Sequence, residues 1–126
     1  MQGIVTDARE AVLRVSVVGK GGTEAFDFIV DTGFTGFLSL TRDEIDALDL
    51  VPGPESLFTF ANGHETPLVT YEAKVNWDGK LRRVKVVPLT AARLIGMNLL
   101  SGATVTFEAC PNGALEIETD TVENFI

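Results

Sequence analysis

Residues 28–40 read FIVDTGFTGFLSL. Three apolar residues run into Asp31, and beyond Thr32-Gly33 the apolar side chains resume through Phe34, Phe37 and Leu38. An ionised carboxylate drawn into such company loses hydration and needs compensation. A strand, then Asp31-Thr32-Gly33 in a tight turn, then a second apolar strand mounts the carboxylate at the end of a rigid element, where packing of its neighbours fixes its position. Gly33 lets the chain bend sharply or another backbone approach. Thr32 adds a hydroxyl that can donate one hydrogen bond and accept others. The same triplet also makes an ordinary turn, since Asp side chains often bond the backbone two residues on.

Outward from this stretch, alternation with a period of two dominates. Leu13, Val15 and Val17 share one face of a run, Phe26, Phe28 and Val30 share a face of the next, and Tyr71 to Trp77 is apolar at every odd position, which is the pattern of half-buried strands. Asp78-Gly79 then precedes a further strand from Leu81 to Val87, and Asp-Gly between two such runs is a strong hairpin signal because both residues tolerate positive φ. Gly21-Gly22, Asn62-Gly63 and Asn112-Gly113 punctuate the chain in the same way. The expectation is an all-β fold with one or two short helices. Thr41 followed by Glu44 forms a capping box, with Ile45 and Leu48 as the apolar stripe, and Pro52-Gly53-Pro54 is read as the end of that helix. A second short helix is expected over Met97–Ser101, before a strand from Thr104 to Glu108. A faint echo links FIVDTG to ARLIGMNLL, each a strand ending in a glycine turn with a helical pattern downstream.

Length and charge narrow the function. The 126 residues, 45% of them hydrophobic, suit one domain over residues 1–126 with its own core. Ten Lys and Arg against 18 Asp and Glu give a net charge of −8, which repels phosphate backbones and anionic lipid surfaces, so neither nucleic acid nor membrane is expected as a partner. Lys80, Arg82, Arg83 and Lys85 form a basic cluster that reads as solvated hairpin charge. The opening MQGIVTDARE has neither the basic start nor the apolar run of a secretory signal, and a cytoplasmic location is expected. Cys110 is the sole cysteine and His64 the sole histidine. No internal disulfide is possible, zinc sites built from several such ligands are excluded by count, and no metal or cofactor is expected.

Three segments in order resemble the retropepsin-like aspartic proteases, particularly small bacterial single-domain members. FIVDTGFTGFLSL resembles their active-site loop, LFTFANGHETPL at residues 57–68 falls where their flap hairpin lies, and RLIGMNLLSG at residues 93–102 is similar to the segment and short helix that pack beneath the loop. Together they span about residues 11 to 119. Retroviral members usually carry Ala after the Asp-Thr-Gly, whereas Phe34 stands here.

The resemblance implies a β-barrel with Asp31, Thr32 and Gly33 at the catalytic centre and Leu94, Ile95 and Gly96 supporting the loop. Phe34, Phe60, Ala61, Asn62 and Gly63 would contact an extended peptide. With one Asp-Thr-Gly per chain, two aspartates need two chains, so the resemblance also implies a homodimer with the site on its two-fold axis and Thr32 reaching the partner's loop. Two other readings stay open: a peptide-binding or dimerisation module of the same fold without useful turnover, and an unrelated β-barrel in which Asp31 only forms a turn.

Overall fold

The computed structural model describes residues 1–59 and 62–119. Among these residues ten strands and two short helices follow in the order β1 (Gln2–Val5), β2 (Ala11–Gly19), β3 (Gly22–Val30), β4 (Leu38–Leu40), α1 (Arg42–Ala47), β5 (Val51–Thr59), β6 (Glu65–Trp77), β7 (Lys80–Pro88), β8 (Leu94–Ile95), α2 (Met97–Leu100), β9 (Thr104–Phe107) and β10 (Ala114–Glu118). All four glycine-marked turns join antiparallel neighbours, β2 to β3, β5 to β6, β6 to β7 and β9 to β10. At the clearest of them Asp78 and Gly79 have φ of 55° and 82°, as a two-residue hairpin turn requires.

Six strands close a barrel in the cyclic order β2, β3, β8, β4, β7, β6, because the far half of β2 pairs with β6 at Val17 and Val75. The near half of β2 pairs instead with β1, which in turn pairs with β10. The N-terminal strand is thereby ordered by ladders on both its edges, and the Met1 amino group donates to the Ile117 carbonyl at 2.7 Å. The alternating faces read from sequence fill the barrel: Leu13, Val15, Val17, Phe26, Phe28, Ala73, Val75 and Trp77 are all buried in one cluster. The two segments of the sequence echo lie side by side, with Ile29 beside Leu94 and Val30 beside Ile95 in the parallel β3–β8 pair.

Helix α1 has the expected cap, with the Glu44 N–H donating to the Thr41 hydroxyl and the Thr41 N–H to the Glu44 carboxylate. It does not run to Pro52-Gly53-Pro54. The chain leaves the helix at Leu48, and Asp49 takes a left-handed φ of 50°. The Pro-Gly-Pro segment belongs to β5, an edge strand, where the β5–β6 register shifts between Pro52 and Glu55. Proline tolerates an edge with an irregular ladder, because there a missing N–H breaks no inner pairing.

The basic cluster is also not uniformly solvated. Arg82 is half-buried and donates to the Leu99 and Asn98 carbonyls at 3.1 and 3.5 Å, with its guanidinium 5.8 Å from the Phe37 ring centroid. It thus fastens β7 to the end of α2, where unpaired helix carbonyls accept a cation well.

Candidate active site

Strand β3 carries its apolar side chains into the barrel and stops at Val30, so Asp31 is the first residue beyond the ladder. The Asp31 N–H still donates to the Ile95 carbonyl at 2.9 Å, and the Asp31 carbonyl accepts from Phe34 N–H at 3.1 Å. The main chain is therefore held on both sides of the side chain. Its Oδ1 accepts from the Gly33 N–H at 2.9 Å, the turn bond that Asp favours in any protein. The carboxylate is half-buried and opens into a cleft of about 910 Å³. The apolar company seen in sequence is anchorage, since Phe28, Leu38 and Leu40 are fully buried while Asp31, at the strand end, keeps access to water.

The segment from Leu94 to Gly96 lies directly beneath. Gly96 N–H donates to the Phe37 carbonyl at 3.0 Å, Met97 N–H to that of Phe34 at 2.8 Å and Asn98 N–H to that of Gly36 at 3.2 Å. Three consecutive amides at the start of α2 thus grip the loop that follows Asp31. A side chain at Gly96 cannot fit: an added Cβ would stand 2.2 Å from the Gly36 carbonyl oxygen and 2.6 Å from that of Phe34. Phe34 is half-buried with its ring over Gly36 and Gly96, so it lines the cleft from a packed position.

Opposite the loop, the cleft is walled by Leu57 and Phe58 of β5 and by Val87 and Leu89. Asn62 and Gly63 are exposed at the β5–β6 tip, where the His64 N–H donates to Asn62 Oδ1 at 2.9 Å and Gly63 has φ of 80°. His64 is exposed. Phe60 and Ala61, the other two expected flap contacts, lie outside the described residues. Thr32 and Gly33 are both exposed on the loop.

Sequence reasoning missed Ser39. This fully buried hydroxyl donates to the Ala92 carbonyl at 2.9 Å and accepts from the Leu94 N–H at 2.8 Å, tying β4 to the approach of β8. A lone hydroxyl inside the apolar run FLSL was the available signal, since a buried polar group must find partners. Arg93 was missed too: its guanidinium meets the Glu44 carboxylate at 2.6 Å and lies 5.1 Å from the Phe26 ring centroid. Burial would raise the Glu44 carboxyl, but hydrogen bonds from the Thr41 backbone, Arg93 and the Thr41 hydroxyl outweigh it and hold the group below its ordinary range. Among the described residues no group of three or more His, Cys, Asp and Glu side chains is placed to hold a metal ion, and no helix is long and apolar enough to cross a membrane.

No family model and no characterised protein sequence matches the chain. Among solved structures it is similar to the retroviral EIAV protease complexed with the inhibitor HBY-793, with a TM-score of 0.53 and 16% identity over 72% of this chain and 85% of that one. At such identity the likeness is one of fold. The chain is a retropepsin-like β-barrel that carries a single Asp-Thr-Gly loop.

Proposed function

We propose that the protein, as one domain over residues 1–126, is an aspartic endopeptidase whose active form is a homodimer of the bacterial, cytoplasmic single-domain kind. The observation that carries this reading is Asp31 held by main-chain bonds at the end of β3, with its carboxylate open to a cleft of about 910 Å³. Two Asp31 carboxylates brought together by two chains share one proton, because like charges at such range cannot both ionise; this is the handling of protons known for aspartic proteases in general. The ionised member takes a proton from water as the water attacks the peptide carbonyl. The protonated member donates to the carbonyl oxygen, and the roles exchange as the amine leaves.

The surroundings suit that task. Thr32 and Gly33 are exposed beside Asp31, available to a second copy of the loop. Strand β1 is paired on both edges within its own chain, so the proposed dimer requires no exchange of that strand. Strand β5 is an edge strand, and a peptide can lie against it and the Asn62-Gly63 tip as an added strand.

A second reading, a peptide-binding or dimerisation module without turnover, draws on Phe34, whose ring fills space above Gly36 and Gly96 close to Asp31. The test is mass-spectrometric profiling of a mixed peptide library with wild type and Asp31→Asn across about pH 3 to 8, the range of carboxylate and histidine titration. Cleavage by wild type alone is the expected result. Equal cleavage by the variant sinks the peptidase, whereas binding by both without cleavage establishes the module.

A further inference from the structure

A second cavity, of about 500 Å³, lies along β6 and β7 and shares Phe37 and Lys85 with the cleft that holds Asp31. The two spaces are neighbours across those side chains. Lys20, Lys74, Arg83 and Lys85 line it against Asp49 and Glu72. Four of the ten cations of a chain with net charge −8 are thus gathered around one hollow. Among the described residues the ion pairs are Arg14 with Asp27 and Arg93 with Glu44, and none of the four takes part in either.

Their arrangement works against stability. Lys74 stands directly across the β6–β7 ladder from Arg83, and both are exposed. Like charges placed opposite on an antiparallel pair repel. Glu72, by contrast, faces Lys85. The sheet therefore holds a local positive excess within a hollow whose apolar walls include Phe37 and Val51, and low-dielectric walls concentrate such a field.

We propose that this cavity is a remote subsite that takes an acidic side chain of an extended peptide lying in the Asp31 cleft. The ligand class rests on the peptidase reading above, while the charge of the site does not. A free small anion is a poorer match, because the net negative charge of the molecule repels it from a distance. A peptide anchored in the neighbouring cleft delivers its carboxylate at high effective concentration. Cleavage consequently favours Asp or Glu at one fixed distance from the bond that is cut.

The experiment compares wild type with the double variant Lys74→Glu, Arg83→Glu on a proteome-derived peptide library, reading both cleavage sites and retained peptides by mass spectrometry. In wild type, Asp and Glu are enriched about fivefold at one position, the order expected of a solvent-exposed ion pair. The double variant loses that enrichment or reverses it toward Lys and Arg, and cuts neutral peptides as before. Raised salt shrinks the preference. Wild-type cleavage without acidic enrichment, or enrichment unchanged in the variant, overturns the subsite and leaves the peptidase standing. Absence of all cleavage removes the peptidase, and retention then decides the subsite: acidic peptides held by wild type and released by the variant support it, and equal or no retention overturns it.

Discussion

Replacing Gly96 by alanine tests the clamp between α2 and the Asp31 loop. Gly96 has φ of −106°, which any residue adopts, so the whole penalty is steric. The new Cβ would lie 2.2 Å from the Gly36 carbonyl oxygen, where ordinary contact begins at 3.4 Å, and the loop must retreat by about 1 Å or more to relieve an overlap of that kind. The two oxygens in the way, of Gly36 and Phe34, are the acceptors for Asn98 and Met97. Losing two backbone hydrogen bonds at about 1 kcal/mol each, with about 1–3 kcal/mol of overpacking, predicts a loss of about 3–5 kcal/mol. That is a large share of the roughly 5–15 kcal/mol that holds a domain together. Trp77, the sole tryptophan and buried, reports urea unfolding by its fluorescence. Gly79→Ala is the control: its φ of +82° is strained for alanine but nothing lies within 4 Å, so it loses only about 1–2 kcal/mol. A Gly96→Ala protein no less stable than the Gly79→Ala control refutes the clamp.

Arg82→Ala removes two bonds to α2 carbonyls and the contact with the Phe37 ring, and costs about 2 kcal/mol in urea unfolding, with Lys restoring only part of it; no change would return Arg82 to the solvated surface. Ser39→Ala leaves the Ala92 carbonyl and Leu94 amide without their hydroxyl partner and costs about 1–3 kcal/mol, again by urea unfolding, although the side chain shrinks by a single oxygen. Glu44 gives a pH signature. Its carboxyl is held below the ordinary 4.5 in the folded protein, so its contribution is complete above that value and is lost as pH falls through the lowered folded value. The stability gap between wild type and Glu44→Gln, measured by thermal unfolding, narrows on acidification; a gap that widens contradicts the assignment.

Local signals in the sequence were strong and long-range ones weak. Asp78-Gly79 specifies its own hairpin, because the positive φ that the turn demands is met by those two adjacent residues, and the Thr41-Glu44 cap is equally self-contained. Barrel closure is not local. It depends on β2 dividing its partners between β1 and β6, and on the parallel pairs β3–β8 and β4–β7. Strands of two or three residues such as β8 and β4 carry no period to read. Pro52-Gly53-Pro54 misled because breaker residues were judged by propensity, while an edge strand accepts them. Of the site, the Asp31 loop and its glycine support were legible as motifs. Ser39 and Arg82 gained their roles only from neighbours brought in by the fold, and a side chain with distant partners leaves no mark at its own position.

Under the proposed function, variants of Asp31 separate stability from chemistry. Among the described residues the one side-chain bond it makes is acceptance of the Gly33 N–H by Oδ1, a bond that an asparagine oxygen preserves. The main-chain bonds with Ile95 and Phe34 belong to the backbone and survive any side chain. Asp31→Asn is therefore expected to unfold within about 0.5 kcal/mol of wild type, whereas Asp31→Ala, which leaves the Gly33 amide to water, loses about 0.5–1.5 kcal/mol. Both variants abolish the carboxylate, so both should lack cleavage equally. A loss of activity in Asn that tracks a loss of folding would mean that the carboxylate holds the loop together, and the anchoring role assigned to Phe28, Ile95 and Gly96 would fall with it. An Asn variant as stable as wild type and inert toward every peptide that wild type cuts leaves the carboxylate only a chemical task.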